Sequence, residues 1–126
     1  MEKKVIYTQG APEAIGPYSQ GIQASGLVFL SGQIALRPGS TELVNGSVTE
    51  ETEQVMQNLQ AVLSAAGLNF SDVIKTTIFL GDMDAFAAVN EVYGKYFKDS
   101  FPARETVAVK GLPRGARVEI SMIAAS

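Results

Sequence analysis

The sequence predicts an α+β fold, a single sheet carrying two helices on one face in a two-layer sandwich. Three observations lead there. Strand-like and helix-like stretches run in the order strands, helix, strand, helix, two strands, a pattern of neither an all-β chain nor a regular βαβ repeat. The length, 126 residues, is that of one domain, here residues 1–126. Hydrophobic residues make up 46% and charged residues 18%, enough to bury roughly two-thirds of the surface without disulfides or metals.

The elements follow in order. Residues 4–7 (KVIY) form a short first strand, and a turn-rich segment with Pro12, Gly16 and Pro17 comes next. Over residues 19–36, SQGIQASGLVFLSGQIAL, apolar residues cluster on either side of Gly26, as in two strands paired into a hairpin. Turn signals at Arg37-Pro38-Gly39-Ser40 and Asn45-Gly46 bound a loop. Ser47 and Glu50 then have capping-box spacing, with Thr49 an equally good N-cap. Val55, Met56, Leu59, Val62, Leu63 and Ala66 recur at helical spacing until Gly67 stops the helix. Residues 73–80 (VIKTTIFL) are β-branched and apolar in both directions, as in a central strand. Asp82 or Asp84 caps a second helix carrying Phe86, Val89, Tyr93, Tyr96 and Phe97 on one side. Pro102 ends that connection, RETVAV (104–109) is a strand, and LPRGA leads into the last strand, 117–124.

Two helices on one face leave the other face bare. Ile78, Leu80, Val107, Val109, Ile120 and Met122 give the strands apolar groups in both directions, so the bare face is expected to be buried against copies of the same chain.

Composition narrows the chemistry. The chain has no histidine and no cysteine, which removes Ser-His-Asp and Cys-His catalysis, thiol redox chemistry and nearly all zinc, copper and haem ligation. No cofactor is expected. A net charge of −3 without a basic run argues against a nucleic-acid partner. The start, MEKKVIYTQG, lacks the apolar run of a signal peptide, and no window is long enough to span a membrane, so the expected location is cytoplasmic.

Few residues remain to carry a function. Arg104 follows Pro102-Ala103 at the mouth of a strand, where a guanidinium wants a carboxylate. Glu105 is adjacent, but successive strand side chains point to opposite faces, so it should not neutralise Arg104; Thr106 and Ala108 share the Arg104 face and leave room. The choice between a structural ion pair and a ligand carboxylate stays even. Glu119 lies mid-strand between Val118 and Ile120, which costs free energy unless it is paired or functional. Either Arg117, two residues away, is its partner, or its pKa is raised for proton transfer. Tyr18 in a turn, Ser31-Gly32 interrupting an apolar strand, and Asn90 among apolar helix residues are weaker signals, each with an ordinary packing explanation.

Taken together, IGPYSQG, LSGQIAL, VMQNLQAVLSAAG, VIKTTIFLGDMDAF, VNEVYGKYF and FPAR…LPRGARVEI resemble the reactive intermediate deaminase (RidA, or YjgF) family over nearly the whole chain. That resemblance implies a chorismate-mutase-like fold with a mixed sheet, a final strand in the middle of the sheet, and a homotrimer whose sheets pack into a barrel. It implies hydrolysis of 2-imino acids and their enamine tautomers, products of pyridoxal-phosphate enzymes, to 2-keto acids and ammonia, in clefts between subunits. On the matching positions, Arg104 grips the substrate carboxylate and Glu119 stands near the imine nitrogen and the attacking water. Tyr18, Ser31, Gly32 and Asn90 line the same pocket. Thr106 joins them as a substrate-binding residue, where several relatives carry cysteine. Two departures stand out: Glu105 in place of a small residue, and Gly111 where many relatives have arginine. Glu105, together with the absence of any strong general base, supports a second reading, a non-catalytic trimeric module that holds small carboxylate metabolites.

Overall fold

The computed structural model describes all of Met1–Ser126. Six strands form one sheet: β1 (Lys4–Ile6), β2 (Gly21–Ala24), β3 (Leu27–Gln33), β4 (Val73–Leu80), β5 (Ala103–Ala108) and β6 (Val118–Ala125). Their order across the sheet is β1-β2-β3-β6-β4-β5, with every neighbour antiparallel except the parallel pair β4–β5. The sheet is therefore mixed, and β6 lies between β3 and β4 rather than beside β5. A tight turn at Leu112-Pro113-Arg114-Gly115 would have paired the last two strands; instead Pro113–Gly115 make a single 3-10 turn that redirects the chain.

Local chemistry accounts for the elements. Ser25 and Gly26 both have positive φ (53° and 79°), the geometry of a two-residue hairpin turn matched to strand twist, and they join β2 to β3. Helix α1 (Val48–Ala65) starts at Ser47, whose hydroxyl accepts from the Glu50 N–H at 3.1 Å; Ser47 rather than Thr49 is the N-cap. Gly67 follows its end at φ 76°. The second helix is shorter than its apolar spacing suggests. Asp82 caps a 3-10 turn by accepting from the Asp84 N–H at 2.8 Å, and α2 proper runs Phe86–Gly94, so Tyr96 and Phe97 lie beyond it.

The core sits between α1 and the sheet. Val55, Met56, Leu59, Val62 and Leu63 of α1 are fully buried against Val28, Ile78, Leu80, Val118, Ile120 and Met122. Each such side chain removed from water contributes roughly 1.5–3 kcal/mol. This corrects the expectation for the bare face. Ile78, Leu80, Ile120 and Met122 all point under the helices, because β4 and β6 are neighbours in register (Ile78 opposite Ile120, Leu80 opposite Val118). The uncovered face instead carries Phe29, Lys75, Thr77, Phe79, Glu105, Val107, Glu119, Ser121 and Ile123: apolar groups mixed with charges and hydroxyls.

Candidate functional site

Arg104 lies on the helix-covered side, because it pairs in parallel register with the buried Thr76. Its Nη1 donates to Asn90 Oδ1 at 2.7 Å. The guanidinium carbon stands 5.2 Å from the Tyr93 ring centroid and 5.8 Å from that of Phe86, so α2 supplies both the acceptor and an aromatic bed. No carboxylate touches it. Glu105 points to the opposite face and pairs with Lys75 at 3.2 Å, as strand alternation requires. A guanidinium has five N–H donors, and only one is engaged here. A cavity of about 340 Å³ opens beside it, lined by Asn90, Tyr93, Gly94, Phe101, Pro102 and Arg104. Burial raises the pKa of Tyr93, against the lowering effects of the Thr76 hydroxyl and of Arg104.

Glu119 lies on the other, uncovered face, opposite Phe79 in the ladder. The Arg117 pairing is absent. Arg117 Nε instead binds the fully buried Glu51 of α1 at 2.8 Å, and Glu51 also accepts the backbone N–H groups of Arg117 (2.7 Å) and Val118 (3.3 Å). Glu51 thereby clamps the start of β6, the strand that presents Glu119. Glu119 itself makes no hydrogen bond or ion pair within the chain, and burial pushes its pKa above the ordinary 4.5.

The ladder between β3 and β6 slips between Leu30 and Gln33, a bulge that contains Ser31 and Gly32. At Gly32 a Cβ would collide with the Glu119 carboxylate, its Cδ only 2.9 Å away, so glycine is what lets this carboxylate lie against β3. The Ser31 hydroxyl donates to Ser19 O and its N–H to Gln20 O, fastening the loop before β2. Tyr18 on that loop is half-exposed, and its hydroxyl accepts from the Ile15 N–H at 3.4 Å. Tyr18, Ser31, Gly32 and Glu119 share a cavity of about 450 Å³.

Within one chain the predicted residues thus fall into two groups. Arg104 and Asn90 stand together on one side of the sheet; Glu119, Tyr18, Ser31 and Gly32 stand together on the other. Thr106 lines neither cavity, although its Oγ1 is buried without a hydrogen-bond partner. Residue pattern alone assigns Phe86 and Tyr93 to packing, and it carries no signal for Glu51, which reads locally as a first-turn acid favouring the helix dipole.

Comparison with known proteins gives this geometry a context. The family model described as Endoribonuclease L-PSP matches residues 8–126. The chain is 56% identical over 128 residues to Protein DfrA of Myxococcus xanthus, covering 100% of this chain and 98% of that protein. It is 52% identical over 122 residues to the 2-iminobutanoate/2-iminopropanoate deaminase of Mus musculus, covering 97% of this chain and 90% of the relative. Among solved structures, Escherichia coli TdcF with bound serine superposes with a TM-score of 0.93 at 40% identity, covering 98% of each chain.

Proposed function

The chain belongs to the Endoribonuclease L-PSP family, the YjgF/RidA group, and from that premise we propose that it is a 2-iminobutanoate/2-iminopropanoate deaminase whose site is shared between neighbouring protomers of a homotrimer. One observation carries the reading: Arg104 and Glu119 stand on opposite faces of the sheet, each beside its own cavity and each lacking an internal counter-charge. Neither half is a site alone. A closed ring of protomers brings the Arg104 half of one against the Glu119 half of the next, as head-to-tail symmetry allows.

The chemistry asks little of the protein. The four free N–H groups of Arg104 take the substrate carboxylate in a bidentate grip, with Asn90 and the aromatic bed holding the guanidinium in plane. A water beside Glu119 attacks C2 of the imine; Glu119 takes one water proton and passes it to nitrogen, so that a C–O bond forms as the C=N π bond opens to an amine. The resulting 2-amino-2-hydroxy acid collapses when Glu119 takes the hydroxyl proton and delivers it to nitrogen, so that the C=O forms as the C–N bond breaks and ammonia leaves. Burial raises the Glu119 pKa, which makes its carboxyl a better proton acceptor for both tasks than an ordinary surface glutamate. Much of the acceleration then comes from orientation, which suits a chain without histidine or cysteine. Glu105, one of the two supports for a non-catalytic carboxylate binder, is engaged by Lys75 and leaves Arg104 free.

The test uses 2-iminobutanoate generated by an amino-acid oxidase, with keto-acid release followed. Wild type accelerates release, while Arg104→Ala and Glu119→Ala each abolish the effect. Refolding the two inactive variants together restores about a quarter of wild-type activity, since in a mixed ring one shared site in four receives both intact halves. A site contained within one chain gives no recovery, and an inert wild type removes the deaminase assignment altogether.

A further inference from the structure

The covered side of β4 breaks its own pattern at one position. Ile78 and Leu80 are aliphatic and fully buried under the helices, but Thr76 is buried just as completely and brings a hydroxyl into the core. Valine would fill nearly the same volume without that polar group. The Thr76 hydroxyl accepts from Tyr93 Oη at 2.9 Å. Tyr93 is itself buried, and burial raises its pKa, so the phenol keeps its proton and donates. An apolar pair of the same shape, valine and phenylalanine, would be close to neutral for stability. The two hydroxyls therefore call for a reason other than packing. That reason lies beside them. In the parallel register of β4 and β5 Thr76 is opposite Arg104, whose guanidinium carbon stands 5.2 Å from the centroid of the same Tyr93 ring. Phe86, Asn90 and Tyr93 share one face of α2, so that face supplies the acceptor and both rings that meet the guanidinium. Apart from the Asn90–Arg104 bond, the Tyr93–Thr76 bond is the sole side-chain hydrogen bond from α2 to the sheet. It pins the far end of the ring to the central strand next to Arg104.

Resting on the deaminase reading above, we propose that Thr76 is a positioning residue for the carboxylate grip: it pins Tyr93, and through that ring fixes the plane in which Arg104 presents its free N–H groups. Thr76 acts only through Tyr93. A bidentate grip depends on the direction of two N–H groups at once, so a guanidinium that rocks on a loosened ring loses part of its hold. The carboxylate is held alike before and during the reaction. The loss therefore falls on KM and on affinity for the keto-acid product, with kcat spared.

The experiment measures kcat and KM for 2-iminobutanoate, the calorimetric Kd of 2-oxobutanoate, and the melting temperature. It compares wild type with Thr76→Val, Thr76→Ser and the double variant Thr76→Val/Tyr93→Phe. Thr76→Val strands the Tyr93 hydroxyl in the core, so it melts below wild type, and its KM and Kd rise about fivefold to tenfold with kcat nearly unchanged. Thr76→Ser keeps the hydroxyl and returns both constants to within about twofold of wild type. The double variant removes both polar groups together and melts close to wild type, yet its KM and Kd stay raised. That split separates positioning from folding. Wild-type KM and Kd in Thr76→Val, a double variant that regains them along with its stability, a loss confined to kcat, or a Thr76→Ser no better than Thr76→Val each overturns the role of Thr76 and leaves the deaminase reading standing. A wild type that binds 2-oxobutanoate but accelerates no imine removes the deaminase reading, and the Kd series then decides the role of Thr76 by itself. A wild type that does neither overturns both.

Discussion

The two faces of the sheet are finished in different ways. Under α1 and α2 the strands present Ile78, Leu80, Val118, Ile120 and Met122, packed by the chain itself until nothing is exposed. On the far side the same strands alternate to Lys75, Thr77, Phe79, Glu119, Ser121 and Ile123, a surface too polar for a core and too apolar for open solvent. The two charges central to the proposed reaction follow this division. Arg104 is oriented by its own chain, through Asn90, Tyr93 and Phe86. Glu119 is only positioned: its strand is clamped by Glu51 and its place is cleared by Gly32, while its carboxylate is left unpaired. A group that must hold an anion is best fixed beforehand, whereas a group that must exchange protons is best left without a permanent partner.

The largest effects should come from breaking each half. Arg104→Lys keeps the charge but loses the planar fork, and kcat/KM is expected to fall about a hundredfold; unchanged kinetics would show that the helix-side half takes no part. Glu119→Gln should cost about 10²–10⁴ in kcat while moving stability the other way. With its folded pKa above 4.5, the Glu119 carboxylate is disfavoured by folding. That stabilising preference for the protonated form is present below the unfolded value and is lost as pH rises through the folded one. The Gln variant should therefore melt above wild type at pH 7, with the difference closing below pH 4.5, and the acid limb of wild-type activity should lie above 4.5.

The next comparison is between the two ion pairs. Glu51 is fully buried and accepts three N–H groups, so Glu51→Ala leaves Arg117 Nε and the backbone N–H groups of Arg117 and Val118 unmatched, while Arg117 Nη2 keeps Asn45 O; about 1–3 kcal/mol for each buried backbone donor should be lost by chemical denaturation. Gly32→Ala should displace the Glu119 carboxyl and lower activity about tenfold with a smaller change in melting temperature, a split that tests positioning apart from folding. Glu105→Ala comes last. Its pair with Lys75 has both side chains well exposed in the single chain, and its removal should cost less than about 1 kcal/mol. A larger loss, growing as protein is diluted, would place that pair inside the assembled interface.

Much of this architecture is legible in the residues themselves. The strand at 73–80, the helix from Ser47 and the hairpin at Gly26 are local statements, carried by side-chain period, cap chemistry and a positive-φ turn. Strand alternation is enough to separate Arg104 from Glu105. The places where residue pattern misleads share one origin. Arg117 is a natural partner for Glu119 at two residues' distance, yet it bends to a carboxylate 66 positions earlier in the chain. Ile78 and Ile120 fit a bare face as well as a covered one, because nothing in a strand's own residues says which of its two sides a helix will cover.

Residue types and their spacing were sufficient for the order of elements, for the exclusion of thiol and imidazole chemistry, and for the shortlist of Arg104 and Glu119, since each depends on nearest neighbours or on composition alone. Which face each of those two occupies, who neutralises Arg117, and how the bulge at Gly32 admits a carboxylate depend on β6 threading between β3 and β4. That placement is settled by contacts between residues far apart in the chain, where burial and charge pairing outweigh any local preference.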